Sequence, residues 1–246
     1  MNKMIRVGRR NGNIDPSFEG FTPILVLTKS SPYGSIGPYC LKDEKGRIME
    51  NIYQFSKVYE IVPESLEKYS RYDNRIIWKW KAERHVLLCS DGTFDITPEY
   101  FIWRKSGMYA KDAIRYPVGF KDRKRCLFAL KEDENENVIP KRLNYIESRK
   151  EIYCPLYEKL VKKEKQFSEL KERLNKGENL LIIEVDGPHS ESLPYYREKY
   201  NVGKDFIIGN TMLATKDNLD IMLNDPLHPY GHGYCLARAL LSEMKM

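Results

Sequence analysis

The sequence lacks most of the short motifs that assign an enzyme chemistry directly. Its 246 residues contain no G-x-x-x-x-G-K-[ST], G-x-G-x-x-G, H-E-x-x-H or G-x-S-x-G pattern, so no familiar nucleotide loop, zinc peptidase or hydrolase elbow is indicated. The five cysteines are odd in number, widely spaced and without a C-x-x-C pair, which argues against a disulfide framework or a zinc site. We therefore expect neither a metal nor a cofactor.

Long apolar runs are also missing. The start of the chain, Met1–Arg6, has no apolar leader segment, and no stretch is long enough to span a bilayer. The cysteines are most simply interpreted as reduced thiols. These features predict a cytoplasmic protein, or a nuclear one if the host has a nucleus, without a membrane partner.

The charge is not extreme in either direction. The formal net charge is +6, which is compatible with a phosphate-bearing or polyanionic partner but does not require one. Hydrophobic residues make up 41% of the chain and aromatic residues 12%, enough for a substantial core rather than global disorder.

Apolar periodicity predicts alternating strands and helices after a polar, glycine-rich start over residues 1–20. Thr97 and Pro98 form a typical helix start. No repeat or linker is evident, so we predict one α+β domain over residues 1–246, with several helices around a small mixed or antiparallel sheet. The main predicted elements are strands at 21–28 and 180–185 and helices from 50 to before 63, 97–115, 153–174 and 236–241, the last preceded by a Gly-rich turn.

The segment 50–57 combines polar and apolar residues at helical spacing. Glu50, Gln54 and Lys57 lie four and three residues apart, which places them on one face of a helix. Taken alone, the segment is more typical of a surface helix with solvated charges. If the helix is packed, the same three side chains predict a polar pocket.

Two further segments add candidate site residues. A Gly-rich turn can let the backbone approach a ligand closely, and the amino end of the following helix can bind a phosphate or ribose oxygen; a turn that merely caps a core helix is about equally expected. The interruption by Pro229 makes a metal site at His228 and His232 improbable. The candidates are Trp103, Arg104, Lys105 and Met108 in the first segment and Asp225, Tyr230, Gly231, His232 and Gly233 in the second.

The order of these segments resembles the NADAR/YbiA-like superfamily of N-glycosidases. In that family an E-H-x-x-Q-x-x-K helix is followed by a helix with Trp, Lys, Met and Ala and then by a W-G-x-G turn before the last helix. The resemblance covers about 25–60, 98–116 and 224–244, with long elaborations at roughly 60–97 and 117–223. Asn51 stands where the family has His, and Tyr230 stands where it has Trp.

The resemblance implies cleavage of the bond between a ribosyl, ADP-ribosyl or ribose-phosphate group and a nucleobase. It implies catalytic roles for Glu50, Lys57 and Asp225. Lys57 would attack C1′ or an opened aldehyde, and Glu50 would stabilise a cationic sugar. Substrate contacts would come from Gln54, Asn51, Trp103, Met108, Tyr230, Gly231, His232 and Gly233, although Trp103 is equally typical of a core aromatic.

Two other functions remain open on the sequence. The same pocket could serve a transferase that exchanges a sugar or base on nucleotides or DNA, or a nucleotide-binding module without turnover. A nucleic-acid substrate would use basic residues to bind phosphates, for which the candidates are Arg104, Lys105, Lys121 and Arg123. A basic run is more commonly a solvated loop, and the sequence indicates no oligomeric state.

Overall fold

The structure is a computed structural model that describes residues 3–28, 32–71 and 73–244. The chain divides into two compact units. The terminal unit comprises Met1–Gly37 and Tyr157–Met246, and the central unit comprises Pro38–Leu156. Helices and small sheets occur in both units, which confirms the predicted α+β class. The prediction of one domain with elaborations at 60–97 and 117–223 stays a prediction.

The strands and helices are short. None of the helices in the described part of the chain has both the length and the apolar character to cross a bilayer. The strands are β1 (Ile5–Arg9), β2 (Thr22–Leu25), β3 (Lys57–Val58), β4 (Ile61–Val62), β5 (Ile76–Ile77), β6 (Glu83–Arg84), β7 (Val86–Leu88), β8 (Phe94–Ile96), β9 (Ala113–Ile114), β10 (Phe128–Glu132), β11 (Val138–Leu143), β12 (Leu180–Glu184) and β13 (Thr211–Leu213). The helices are α1 (Met49–Phe55), α2 (Pro98–Met108), α3 (Tyr145–Ser148), α4 (Cys154–Val161), α5 (Lys165–Asn175), α6 (Leu193–Tyr200), α7 (Lys216–Asn224) and α8 (His232–Glu243), with 3-10 turns at Tyr33–Ile36, Arg123–Arg125 and Ser190–Ser192 and a π-helical turn at Arg149–Tyr153.

The terminal unit is built on a four-stranded sheet with the order β13-β1-β12-β2. The strands β1, β12 and β2 are parallel, and β13 pairs with β1 in the antiparallel sense. Every residue of β12 is buried, as its nearly continuous apolar sequence predicts for an inner parallel strand. The register places Glu184 opposite Arg9 at the carboxyl end of the parallel strands. Helix α8 packs on β1 and β12.

The sequence prediction missed β1, which lies within the stretch interpreted as polar and glycine-rich. Arg6 interrupts its apolar pattern, yet the side chain is buried. Its Nε donates to Thr211 Oγ1 at 2.9 Å, and its guanidinium lies 3.7 Å from the centroid of the Phe18 ring. A buried cation is tolerated where it has such partners, and these partners lie too far along the chain to be read locally.

The central unit has α1 and α2 packed together beside the sheet β11-β10-β3. Gly107 permits the close contact of the two helices, because a Cβ at this position would lie 1.9 Å from the Phe55 ring. The core of this unit is formed by Ile52, Phe55, Val58, Tyr59, Val62, Val86, Tyr100, Trp103, Met108, Ile114, Val118, Phe128 and Leu130.

Two predicted helices end earlier than their apolar patterns suggested. Helix α1 ends at Phe55 rather than before Pro63, and the chain continues into β3. The Ser56 carbonyl accepts from the Leu130 amide at 2.8 Å, so the backbone here bonds to β10 instead of extending the helix. Helix α2 ends at Met108 rather than running towards Arg115, and residues 113–114 pair with β5. In both places the backbone after the helix pairs with a strand instead of extending the helix.

Candidate functional site

The predicted motif forms a continuous hydrogen-bonded chain in the central unit. Lys57 Nζ donates to Gln54 Oε1 at 2.9 Å, and Gln54 Nε2 donates to Glu50 Oε1 at 2.7 Å. Glu50 and Gln54 are buried on α1, whereas Lys57 is half-buried at the start of β3. The Gln54 amide therefore links a buried carboxyl group to the amine of a half-buried lysine, even though Lys57 lies beyond the end of the helix.

The surroundings of Lys57 favour its neutral form. Burial lowers the pKa of the Lys57 amine; the Cys126 thiol and the Glu50 carboxyl act in the opposite direction, and Arg115 lowers the pKa further. The Nζ atom also lies 4.5 Å from the centroid of the Tyr53 ring. A lysine with a lowered pKa holds a larger fraction of neutral amine at neutral pH, which is the nucleophilic form.

The Asn51 side chain forms its hydrogen bonds with backbone groups. It is fully buried. Its Nδ2 donates to the carbonyls of Ala110 at 3.3 Å and Asp112 at 2.9 Å, while its Oδ1 accepts from the Ile114 amide at 2.7 Å. The sequence analysis assigned Asn51 to substrate binding. Its side chain instead satisfies backbone groups between α2 and β9, which leaves it no access to a ligand.

Trp103 and Met108 lie in the core of the central unit. Each has a relative exposure of 2%. The centroid of the Trp103 ring lies 4.5 Å from that of Phe55 and 4.4 Å from that of His85. Its Nε1 donates to the Lys81 carbonyl at 3.1 Å. This is the core-aromatic alternative left open by the sequence. Neither residue has the exposure that a wall for a stacked base requires.

The four basic residues assigned to phosphate binding differ in their exposure. Arg104 is buried, and its Nη1 donates to the carbonyls of Phe55 and Leu130 at 3.3 and 3.0 Å. Its guanidinium therefore supports the fold and does not reach a phosphate. Arg123 is half-buried, with its guanidinium 3.8 Å from the centroid of the Phe120 ring. Lys105 and Lys121 are exposed and stay candidates.

In the terminal unit, Gly231 and Gly233 make room for Glu184. A Cβ at Gly231 would lie 2.1 Å from Glu184 Oε2, and one at Gly233 would lie 2.7 Å from Oε1. The Gly233 amide donates to Oε1 at 3.0 Å. The sequence analysis assigned both glycines to the close approach of a ligand. The group that approaches the amino end of α8 is instead the protein's own carboxyl group, at a place where the helix dipole favours an acceptor.

His232 contacts the other oxygen of the same carboxyl group. Its Nε2 donates to the Val26 carbonyl at 2.6 Å, so in the neutral ring the bare Nδ1 lies 3.4 Å from Glu184 Oε2. Burial raises the pKa of Glu184 to about 8, and Asp186 adds to the rise, while amides at the start of α8 oppose it. At neutral pH Glu184 thus keeps a proton that can face Nδ1. The substrate role of His232 stays a prediction.

Asp225 is a fully buried carboxylate in the terminal unit. Burial alone would raise its pKa, but hydrogen bonds from Tyr195, His228 and Tyr196 outweigh that effect and hold the pKa below its ordinary value. Tyr230, at the same turn, is buried with its ring 4.9 Å from that of Tyr234. The resemblance implied that Asp225 acts on the substrate directly, whereas its carboxylate is buried and is placed to act through a neighbour.

The structure therefore brings Glu50, Gln54 and Lys57 together, and it gives the remaining predicted residues different positions and contacts. Asp225 and the Gly231 turn belong to the terminal unit, and the motif belongs to the central unit. The sequence analysis missed Glu184, although a carboxylate within a buried apolar strand is itself a signal of a perturbed group. No group of three or more His, Cys, Asp or Glu suited to a metal occurs in residues 3–28, 32–71 and 73–244.

Comparisons with known proteins do not identify this arrangement. No protein-family model, curated protein or solved structure matches the chain. The argument for function consequently depends on the geometry and electrostatics of the residues themselves.

Proposed function

We propose that the central unit carries a site for cleaving the N-glycosidic bond between a ribosyl, ADP-ribosyl or ribose-phosphate group and a nucleobase. The observation that carries the proposal is the ordered chain from Lys57 through Gln54 to Glu50. It combines the amine of a half-buried lysine, whose pKa is lowered, with a buried carboxyl group. That pairing suits a reaction in which positive charge develops on a sugar.

The hydrogen-bonded chain from Lys57 to Glu50 supports a covalent route. The lone pair of neutral Lys57 Nζ attacks C1′, the bond from C1′ to the base nitrogen breaks, and the base leaves with the electron pair. The base takes up a proton from the solvent, to which the later hydrolysis of the Schiff base returns one. Ring opening converts the lysine adduct into a protonated Schiff base, which water hydrolyses to the free sugar and the amine. Gln54 holds Nζ in place, and Glu50 stabilises the positive charge through the oriented amide.

The test is incubation with N-glycosides, followed by mass spectrometry for a released base. The panel comprises ADP-ribosylated DNA, NAD, modified nucleosides and riboflavin-pathway ribosides. Lys57→Ala and Lys57→Arg are expected to abolish release, because neither side chain supplies a neutral amine. Lys131→Ala removes an exposed lysine from β10 of the same sheet and should act like the wild type. Unchanged release by a folded Lys57→Ala protein would reject the covalent route.

Borohydride trapping adds a readout of the intermediate itself. Reduction should fix the sugar on Lys57 in the wild type and in Lys131→Ala, but not in Lys57→Arg. Transfer of the sugar to an added second base would indicate a transferase, and binding without release or transfer would indicate a nucleotide-binding module. Preference for DNA over the free nucleotide would support phosphate contacts by the exposed Lys105 and Lys121.

We place this activity in the cytoplasm. The five cysteines are widely spaced and form no C-x-x-C pair, which supports a reducing compartment. A nucleotide or ribosylated nucleobase in the same compartment is the substrate that the proposal requires.

A further inference from the structure

Three side chains of the terminal unit are aligned as a proton relay. Ser192 Oγ lies 2.9 Å from His228 Nε2, and His228 Nδ1 lies 2.5 Å from Asp225 Oδ2. Asp225 is fully buried, while Ser192 and His228 are half-buried. The carboxylate end is therefore buried, and the hydroxyl end belongs to a half-buried residue. The sequence has no G-x-S-x-G that would point to this serine.

The hydrogen bonds around Asp225 fix the proton positions in the relay. Its carboxylate accepts from the hydroxyls of Tyr195 at 2.6 Å and Tyr196 at 2.8 Å, and from the Leu227 amide at 3.2 Å. A carboxylate surrounded by donors can only accept, so Nδ1 of the neutral His228 ring must carry the proton. Nε2 then has the lone pair, and the serine hydroxyl is the donor. This is the tautomer that a general base needs.

Ser192 is oriented towards this base rather than used for helix capping. It is the cap residue of α6, but its side chain makes no capping bond to the helix backbone. Serine at this position commonly accepts from the first free amides of a helix. Here the hydroxyl is bonded to the imidazole, at the amino end of a helix whose dipole favours developing negative charge on oxygen.

The imidazole packs against two aromatic rings and lies on a proline-flanked loop. Its centroid lies 5.3 Å from that of Tyr195 and 5.1 Å from that of Tyr196. Pro226 and Pro229 bracket His228 along the chain and restrict the backbone. The base is thus positioned by packing as well as by Asp225, which is the support that a catalytic imidazole requires.

We propose that Ser192 and His228 form a nucleophile–base pair, positioned by Asp225, that hydrolyses carboxylic esters. His228 Nε2 takes the hydroxyl proton as Oγ attacks the carbonyl carbon; the ester C–O bond breaks, and the alcohol leaves with that proton. Water then attacks the acyl-serine with the same base, releasing the acid and restoring the hydroxyl.

The test uses a biotinylated fluorophosphonate, with which the serine oxygen forms a P–O bond as the P–F bond breaks. Peptide mapping of the labelled wild type should locate the adduct on Ser192, a result that needs no variant. His228→Gln should lower the labelling rate by about 100-fold or more, the contribution of a general base. Ser168→Ala changes an exposed serine of α5 and should label like the wild type. With p-nitrophenyl acetate, a burst of p-nitrophenol should accompany acylation.

Asp225 is a positioning residue, so its test reads the imidazole directly. In Asp225→Asn, nitrogen-15 NMR of the ring should show the proton moving from Nδ1 to Nε2, together with slower labelling of Ser192. Retention of the Nδ1–H tautomer with a loss of labelling would contradict its role. Absence of a Ser192 adduct in the folded wild type, or equal labelling rates in wild type and His228→Gln, would overturn the proposal.

Discussion

Replacing Glu184 with Gln tests the buried carboxyl group at the amino end of α8. Glutamine has nearly the same shape as the protonated carboxyl group. Its Oε1 can accept from the Gly233 amide, and its Nε2 can take the place of Glu184 Oε2, which lies 3.4 Å from His232 Nδ1. The variant therefore keeps the contacts and removes the ionisation. We expect a folded protein whose stability depends less on pH between about 5 and 8.

The size of the effect follows from the shift of the pKa. The pKa of Glu184 rises from 4.5 to about 8 on folding, so between these values the native state holds a proton that the unfolded chain has released. The stabilisation is fully present below the unfolded pKa and is lost as pH rises, at about 1.4 kcal/mol per unit. Between pH 5 and 7 the wild type should lose about 3 kcal/mol relative to Glu184→Gln.

Urea unfolding of both proteins at pH 5, 6, 7 and 8 gives this difference directly. Glu178→Gln is the matched control, because the Arg173 guanidinium holds the pKa of Glu178 down to about 2, well below the measured range. It should lower the free energy of unfolding equally at all four pH values. Parallel curves for wild type and Glu184→Gln would refute the assignment of a protonated Glu184.

Three further substitutions test contacts described above. Gly231→Ala should destabilise the protein by about 1–3 kcal/mol in urea unfolding, because its Cβ would collide with the Glu184 carboxyl group; unchanged stability would contradict that packing. Asn51→Ala should cost at least about 3 kcal/mol, since it leaves buried backbone groups unbonded, and Lys131→Ala serves as its exposed control. Burial lowers the pKa of His85 to about 3, so stability is present above pH 6.5 and is lost as pH falls. His85→Gln, which keeps an acceptor for the Tyr59 amide, should flatten the loss between pH 6 and 4, and an unchanged slope would exclude this histidine as its source.

The candidate site was predictable only where the signal was local. The spacing of Glu50, Gln54 and Lys57 placed them within reach of one another, and the hydrogen-bonded chain is present although the helix stops at Phe55. Arg104 could not be assigned in this way. Its partners lie on α1, β10 and α2 itself, so a residue interpreted as a phosphate ligand is part of the core.

The Ser192 relay also could not be predicted from local sequence. His228 and Asp225 are three residues apart, but Ser192 lies 36 residues before His228, and no periodic pattern connects them. Asp225 was expected to act on a substrate directly. Its burial and its tyrosine partners allow it to act only through the imidazole.

Local sequence was sufficient for the features that depend on neighbouring residues. The α+β class, the apolar strand β12 and the start of α2 all follow from it, and Thr97 accepts from the Tyr100 amide as its capping position predicts. Tertiary packing decided where α1 ends, why Gly231 must be glycine and which proton Glu184 keeps. These properties depend on burial and on partners distant in the chain, and both exist only once the chain has folded.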